Sequence, residues 1–525
     1  MQTLFRDTIF GQFLRLISSN KLLKYPDELD PALWKQLLPD DGDSSSEKRP
    51  DVEREKPFYL VIWYSPNDPE NPQNWSSNYK LMVASQICVL NFAVYVGSAI
   101  YTPGEESIKK EFGVSDTVAT LGLSLFVLGY GLGPMLFSPM SEMPQVGRRG
   151  IYFWTLFAFV LLQLPVGYAV NMPMFLVFRF LTGFFGGPVL ATGGATIADM
   201  YPPSKIPYGI CIWGAFGILG PVLGPLVGGF AAQKEGWRWT IWELTWVCAV
   251  VLIILFFLMP ETSSFNLLYR RAGRLRKKTK ETKLKSQSEI DAAEHTWRDH
   301  MLMLGRAFTL TFFEPVVFLL DLYTALLYGV LYIWFESFPL VFGDIYGFNI
   351  GEQGLAFLGI FVGGLVTLPC YLLWIKFYLV LKISNPGFKP EMLLPPSFFG
   401  SFALPICLFW YGWSARASVH WMVPIVGSGL FTISIITLFN PVITYLGMAY
   451  PNYAASVYAG NALFRASFGV VFPLFARALF HRLGIGPGNS LLGGLSILFI
   501  PIPFILYKCG ARIRHWSKNA THDML

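Results

Sequence analysis

Charge is what this chain has least of. Only 14% of its 525 residues are Asp, Glu, Lys or Arg, while 53% are hydrophobic and the mean hydropathy is +0.45. Soluble chains carry about 25% charged residues, so a surface wholly in contact with water is excluded. Cysteine is sparse and unpaired: Cys88, Cys211, Cys248, Cys370, Cys407 and Cys509 stand singly, with no metal-ligand spacing. That pattern excludes a disulfide framework and a thiolate metal site. No Gly-x-x-x-x-Gly-Lys-Ser/Thr loop occurs, so nucleotide hydrolysis is not expected as an energy source. There is no paired-histidine metal helix and no serine or cysteine constellation for nucleophilic chemistry; neither an enzyme, a metal nor an organic cofactor is expected. No secretory leader is expected either, because Arg6, Arg15, Lys21 and Lys24 interrupt every early apolar run. The first span is therefore expected to act as its own insertion signal.

What is present is a succession of apolar runs, each about 20 residues long and able to cross a bilayer. Twelve spans are expected, at 80–101, 117–139, 150–169, 173–197, 207–231, 239–259, 314–338, 352–376, 398–414, 420–445, 454–476 and 489–508. The chain divides into an N-terminal region 1–78, a six-helix bundle 79–260, a basic connector 261–306, a second six-helix bundle 307–510 and a tail 511–525. Leu4, Ile9, Phe10, Phe13, Leu14 and Ile17 suit one face of a helix lying on the membrane, and 40–56 is expected to be disordered. The connector holds eleven lysines and arginines from Arg270 to Arg306, and Arg148, Arg149, Lys382, Lys389 and the tail fall on the same side. By the positive-inside rule both termini are cytoplasmic, and the sequons at Asn74 and Asn519 are unused. The net charge of +6 is thus a topology signal and gives no reason to expect nucleic acid.

With no nucleotide site, an ion gradient is the remaining energy source, and ionisable residues inside spans become the candidates. Each costs about 2.5–3.5 kcal/mol at the bilayer centre, so each needs a partner or a wet cavity. Arg179 lies deep in span four. Asp321 is the best-placed acid for proton exchange, and Glu336 in the same span is either part of a site or solvated near its outer end. Arg465 in span eleven is either a structural charge or a transport residue. In span five Gly217, Gly220, Gly224 and Gly228 recur every three or four residues, which puts them on one helical side where another helix can approach closely. Pro221 and Pro225 remove two ladder hydrogen bonds and should bend that helix.

These pieces resemble the major facilitator superfamily, and within it the fungal twelve-span multidrug:proton antiporters of the fluconazole and benomyl resistance type. The loop after span two, GPMLFSPMSEMPQVGRR over 133–149, resembles the superfamily's acid…Gly-Arg-Arg loop, with four residues between Glu142 and Gly147 where two are usual. Arg179 to Gly183 matches the Arg-x-x-x-Gly motif of span four. Gly220, Gly224, Pro225, Gly228 and Gly229 match the antiporter motif of span five, whose earliest glycine falls here on Cys211. The sequences around Trp75, Trp237, Glu261 and Arg465 resemble the same subgroup, and the likeness runs almost end to end.

The resemblance implies an all-α membrane fold of two six-helix bundles working by alternating access, with the site between them. It implies a cytoplasmic gate of Glu142, Gly147, Arg148 and Asp199. It also implies a proton-coupling role for Arg179, Asp321 and Glu336, and an antiporter motif of Gly217, Gly220, Pro221, Gly224, Pro225, Gly228 and Gly229. A shape-tolerant, aromatic cavity for drugs or xenobiotics would draw on Asn91, Tyr95, Tyr130, Tyr328, Tyr332, Phe335, Glu336, Asn440 and Asn461. The expected activity is export of drug-like compounds in exchange for protons, by a monomer in the plasma membrane. The alternatives are a transporter of one physiological solute (polyamine, siderophore or weak acid) and a receptor that transports nothing.

Overall fold

A helix satisfies its own backbone in lipid, so long apolar runs leave the chain little else to form. The computed structural model describes residues 5–35, 58–293, 305, 308–383, 385, 387–517 and 519–520; Leu4 and the 40–56 segment lie outside them. In chain order the elements are α1 Ile9–Ile17, β1 Tyr59–Val61, α2 Ser77–Ala99, α3 Asp116–Glu142, α4 Gly147–Gly167, α5 Met172–Gly186, α6 Val189–Met200, α7 Ile206–Glu235 and α8 Trp237–Leu258. After them come α9 Ser264–Thr279, β2 Leu284–Ser286, α10 Pro315–Phe338, α11 Leu358–Trp374, α12 Pro395–Ser414, α13 Phe431–Ala449, α14 Ala454–Leu483, α15 Ile485–Phe499 and α16 Pro501–Arg514. Among the described residues eleven stretches are long and apolar enough to cross a membrane, α5 with α6 and α15 with α16 each forming a single span. The shorter α12 falls in the ninth place, and with it the number is consistent with twelve.

Local signals set the ends. Ser76 accepts from the Tyr79 backbone to start α2, and Asn171 accepts from the Met174 backbone at 2.9 Å to start α5. Span four breaks between α5 and α6 at Gly187 and Pro188. α7 runs unbroken through Pro221 and Pro225 for 30 residues, and α14 also has 30. Each is the fifth span of its half. Each passes to the sixth through one glycine, Gly236 at φ +85 and Gly484 at φ +86. With ψ 173 and 165 these sit in a region essentially reserved for glycine. An internal repeat invisible in the side chains thus survives in backbone geometry.

The N-terminal region and the connector, set apart in the sequence reading, form one unit. β1 pairs in parallel with β2, Tyr59 opposite Leu284 and Val61 opposite Ser286, a small addition to an otherwise helical fold. Arg271, fully buried, binds Asp68 at 2.8 Å and Glu70 at 3.1 Å, and Arg274 binds Asp27 at 2.9 Å and Glu70 at 3.1 Å. α1 forms as expected and docks Phe10 on Phe256 and Phe257 at the last turn of α8. This unit marks the connector end of the molecule, and the opposite side is its far end.

A candidate transport site between the two bundles

α10 and α14 of the second half face α2 and α3 of the first, and their polar side chains meet in the middle. Asp321, fully buried, accepts from Asn461 Nδ2 at 2.8 Å through one carboxylate oxygen; the other has no hydrogen-bond partner. Asn461 also donates to Thr324 at 2.8 Å, and its carbonyl oxygen accepts from Arg465 Nε at 2.9 Å. Arg465 then crosses the seam, donating to the Tyr95 hydroxyl at 3.0 Å, which accepts from Tyr328 at 2.9 Å as well. The guanidinium lies over the rings of Tyr328 and Phe439, at 4.6 and 4.8 Å from their centroids. A second relay runs from Tyr130 to Tyr332 at 3.0 Å and on to Ser98 at 2.9 Å. A continuous polar wire therefore links an acid of one bundle, Asp321, to a tyrosine of the other, Tyr95.

Beside it lies a cavity of about 10 Å³, enclosed by Asn91, Tyr95, Trp213, Gly214, Gly217, Ile218, Tyr328 and Phe439. That is space for about one water. The Asn91 carbonyl oxygen and Trp213 Nε1 on its wall are buried without hydrogen-bond partners, and so is the Asn440 carbonyl oxygen, against which a Cβ on Gly214 would abut at 2.8 Å. Buried polar groups left unsatisfied each cost about 1–3 kcal/mol, which makes these atoms candidates to receive polar groups of a bound molecule or water. The structure brings Asn91, Tyr95, Tyr130, Tyr328, Tyr332, Asn440, Asn461 and Asp321 together here. Phe335 packs on Tyr332 at 5.2 Å between ring centroids, one turn further along α10.

Glu336 belongs to a different cluster. Far from being solvated, it is 2% exposed, and its carboxylate accepts from Arg477 Nε at 2.6 Å. Arg477 also reaches Asp116 at 3.4 Å, Glu106 at 3.5 Å and Glu105 at 4.0 Å, all in the first half. Thr120 bonds both Glu105 and Glu336 at 3.4 Å. This cluster locks the bundles together at the far end, reinforced by Ser124 donating to the Val470 carbonyl at 3.0 Å. Sequence reasoning missed Arg477 because span eleven was ended at 476, whereas α14 continues to Leu483.

Arg179 lies in neither cluster. It is fully buried, donates to the carbonyls of Gly122 and Gly97 at 3.0 Å each, and sits over the rings of Phe126 and Tyr101 at 4.4 and 5.1 Å. It makes no ion pair among the described residues. Two charge-assisted bonds at about 1.5–3 kcal/mol each and the ring faces offset part of the cation's desolvation, while Nη1 is buried without a hydrogen-bond partner. The arrangement ties α2, α3 and α5 together through their backbones.

At the connector end Arg148 pairs with Asp199 and donates to Ser141 at 3.3 Å. Its backbone N–H is capped by Glu261 at 3.0 Å, an acid from beyond α8 that the expected gate did not include. Gly147 has φ +70, and a Cβ there would fall 2.5 Å from Glu261, so the motif glycine is required twice over. Glu142 ends α3, half-buried beside them. In α7 the expected glycine face is real. A Cβ on Gly220 would meet the Val96 nitrogen at 2.8 Å, on Gly224 the Ile100 nitrogen at 2.9 Å, and on Gly228 the Ile100 oxygen at 2.2 Å. Gly229 faces the other bundle, with Ile350 oxygen at 2.9 Å. α7 thus lies at the seam, pressed to α2 on one side and the second half on the other.

Two pseudo-repeated helical bundles with a polar site at their seam define a membrane transporter of the alternating-access kind. The Major Facilitator Superfamily model matches residues 87–507, and the chain belongs to that family. It is 42% identical to Transporter mfs1 of Schizosaccharomyces pombe, over 98% of this chain and 99% of the relative. It is 41% identical to Fluconazole resistance protein 1 of Saccharomyces cerevisiae, over 90% of this chain and 86% of the relative. Among solved structures, the proton:xylose symporter XylE superposes with TM-score 0.59 at 18% identity, over 83% of this chain and 96% of that one, which speaks to fold alone.

Proposed function

We propose that this protein exports drug-like organic compounds in exchange for protons, from the cytoplasm across the plasma membrane, with both termini cytoplasmic. The relatives' names support the substrate class, and the basic residues of the connector support the orientation. The observation that carries the coupling is the wire from Asp321 through Asn461 and Arg465 to Tyr95. As a carboxylate, Asp321 holds Asn461, and Asn461 orients Arg465 across the seam. A proton on Asp321 removes the charge that this chain of donors is arranged around, and the contact between bundles weakens. Release of the proton on the cytoplasmic side restores it. Substrate entering beside Tyr95 and Asn91 takes up the unsatisfied polar groups there, so the two loads act on one element from opposite sides.

The test is a proteoliposome assay with a fluorescent drug and an imposed pH gradient, comparing the natural chain with Asp321→Asn. Gradient-driven accumulation is expected to fall at least about tenfold in the variant, while exchange of drug across the membrane without a gradient persists. Accumulation that survives a protonophore, or is unchanged in the variant, would overturn the reading.

A further inference from the structure

A cationic cavity lies well away from the transport seam. About 530 Å³ in volume, it opens between α1 and α9 at the connector end. Six cations line it (Arg15, Lys24, Arg270, Arg274, Lys277 and Lys278) against a single carboxylate, Glu28. Glu28 is taken by Arg15 at 2.6 Å, and Arg274 is taken by Asp27 and Glu70. Lys278 is held only by the backbone carbonyls of Asp27 and Glu28, at 3.0 and 2.9 Å. Lys24, Arg270 and Lys277 have no ion pair among the described residues, and Arg270 Nη1 is buried without a hydrogen-bond partner. The Asp7 carboxylate acts on Arg270 and Arg274 and Glu28 on Arg15, so the positive charge gathered around this hollow is only partly compensated.

The position of the cavity says what would supply the missing charge. α1 is anchored to the end of a membrane span by Phe10, with Ile9 and Leu14 half-buried, yet three of its apolar residues are bare: Phe13 is 54% exposed, Ile17 66% and Leu16, which lines the cavity, 77%. A helix so placed lies in the plane of the bilayer surface with those side chains among acyl chains. The cavity mouth then stands at the level of lipid phosphates, with hydrocarbon on its flank.

We infer that this cavity binds the phosphorylated headgroup of an anionic inner-leaflet phospholipid, with Lys24, Arg270 and Lys277 on the phosphate and Leu16 against the lipid's apolar part. The orientation is that proposed above, but the binding requires no drug transport. The hydrophobic flank distinguishes a lipid from a soluble phosphate, and the size suits a headgroup larger than phosphate alone.

The experiment uses the full chain in nanodiscs of phosphatidylcholine, with and without phosphatidylinositol phosphate, and native mass spectrometry to count retained lipid. Preferential retention of the phosphorylated lipid is expected. Lys24→Gln/Arg270→Gln/Lys277→Gln should weaken it by about a hundredfold, from roughly one unit of surface attraction per charge. Lys280→Gln/Lys283→Gln/Lys285→Gln, an equal charge loss elsewhere on the connector, should leave it within about threefold, and Arg270→Lys should retain most of it. Equal losses in the two triple variants would overturn the site, since any basic surface would then serve. So would inorganic phosphate displacing the lipid from the natural chain as readily as added lipid does. A melting temperature unchanged in phosphatidylcholine nanodiscs shows that the variants are folded.

Discussion

A cation among apolar helices must be neutralised or wrapped, and Arg179 and Arg465 inside the spans and Arg477 at a span end take different routes. Arg179 is wrapped by carbonyls and rings, Arg477 is neutralised by carboxylates, and Arg465 is held by hydroxyl and amide oxygens that a bound molecule could compete for. Arg179→Ala should therefore act chiefly on folding. It removes two charge-assisted donations to backbone carbonyls, at about 1.5–3 kcal/mol each, and a fall in melting temperature exceeding that of Arg179→Lys is the readout. Arg465→Lys keeps the charge but loses the fork that reaches Asn461 and Tyr95 together. Drug binding should weaken by about tenfold with little change in melting temperature, measured by fluorescence on purified protein. At the far end Glu336→Gln preserves the bond to Thr120 and removes the charge that holds Arg477. Faster hydrogen exchange over 105–120 should follow, and exchange as slow as in the natural chain would show that the cluster does not lock the bundles.

Close approach and chain reversal are properties of elements, and both fall on glycine here. Gly228→Ala would drive a methyl into the Ile100 carbonyl, so α7 must part from α2; overpacking of that kind costs about 1–3 kcal/mol. Val227→Ala, one residue away and half exposed, should be near neutral in the same thermal unfolding assay. Gly236→Ala and Gly484→Ala should each cost about 1–3 kcal/mol through backbone strain, and by similar amounts if the two junctions are true counterparts. The spans and the glycine face were legible in the sequence because hydrophobic length and helical spacing need no knowledge of partners. The polar wire was legible only as separate residues: Asp321, Asn461 and Arg465 could be named, but nothing in their spacing says that they bond in series. Arg477 and Glu105 lay hidden at span ends, where hydropathy blurs and an ionisable residue looks solvated. β1 and β2 left no signal at all, being three residues each and separated by the whole first bundle.

At the scale of the whole molecule, the unit built from the N-terminal region and the connector is held mostly by charge. Its ion pairs set how it responds to acid. Burial raises the Asp68 carboxyl, but the hydrogen bonds and charge of Arg271 outweigh it and hold the group below the usual carboxylate range. In Glu28 burial is likewise outweighed, by Arg15 and the Tyr25 backbone. A carboxyl with a depressed folded value stabilises the fold above its unfolded value of about 4, and that contribution is lost as pH falls through the folded one. The N-terminal segment should thus resist proteolysis unchanged from neutral pH down to about pH 4, then come free below it, while the membrane helices keep their circular dichroism. Arg271→Ala removes the partner of a buried carboxylate, a change costing about 3–5 kcal/mol. It should release the segment already at neutral pH, since Asp68 and Glu70 would then be left without their buried cation. Release of β1 also unpairs β2, the last described strand before the second bundle, so the same variant should loosen the connector between the halves. If limited proteolysis found the N-terminal segment equally protected in Arg271→Ala, the Arg271 pairs would be passengers, and the Arg274 pairs, the short ladder and α1 docked on α8 would have to hold the unit.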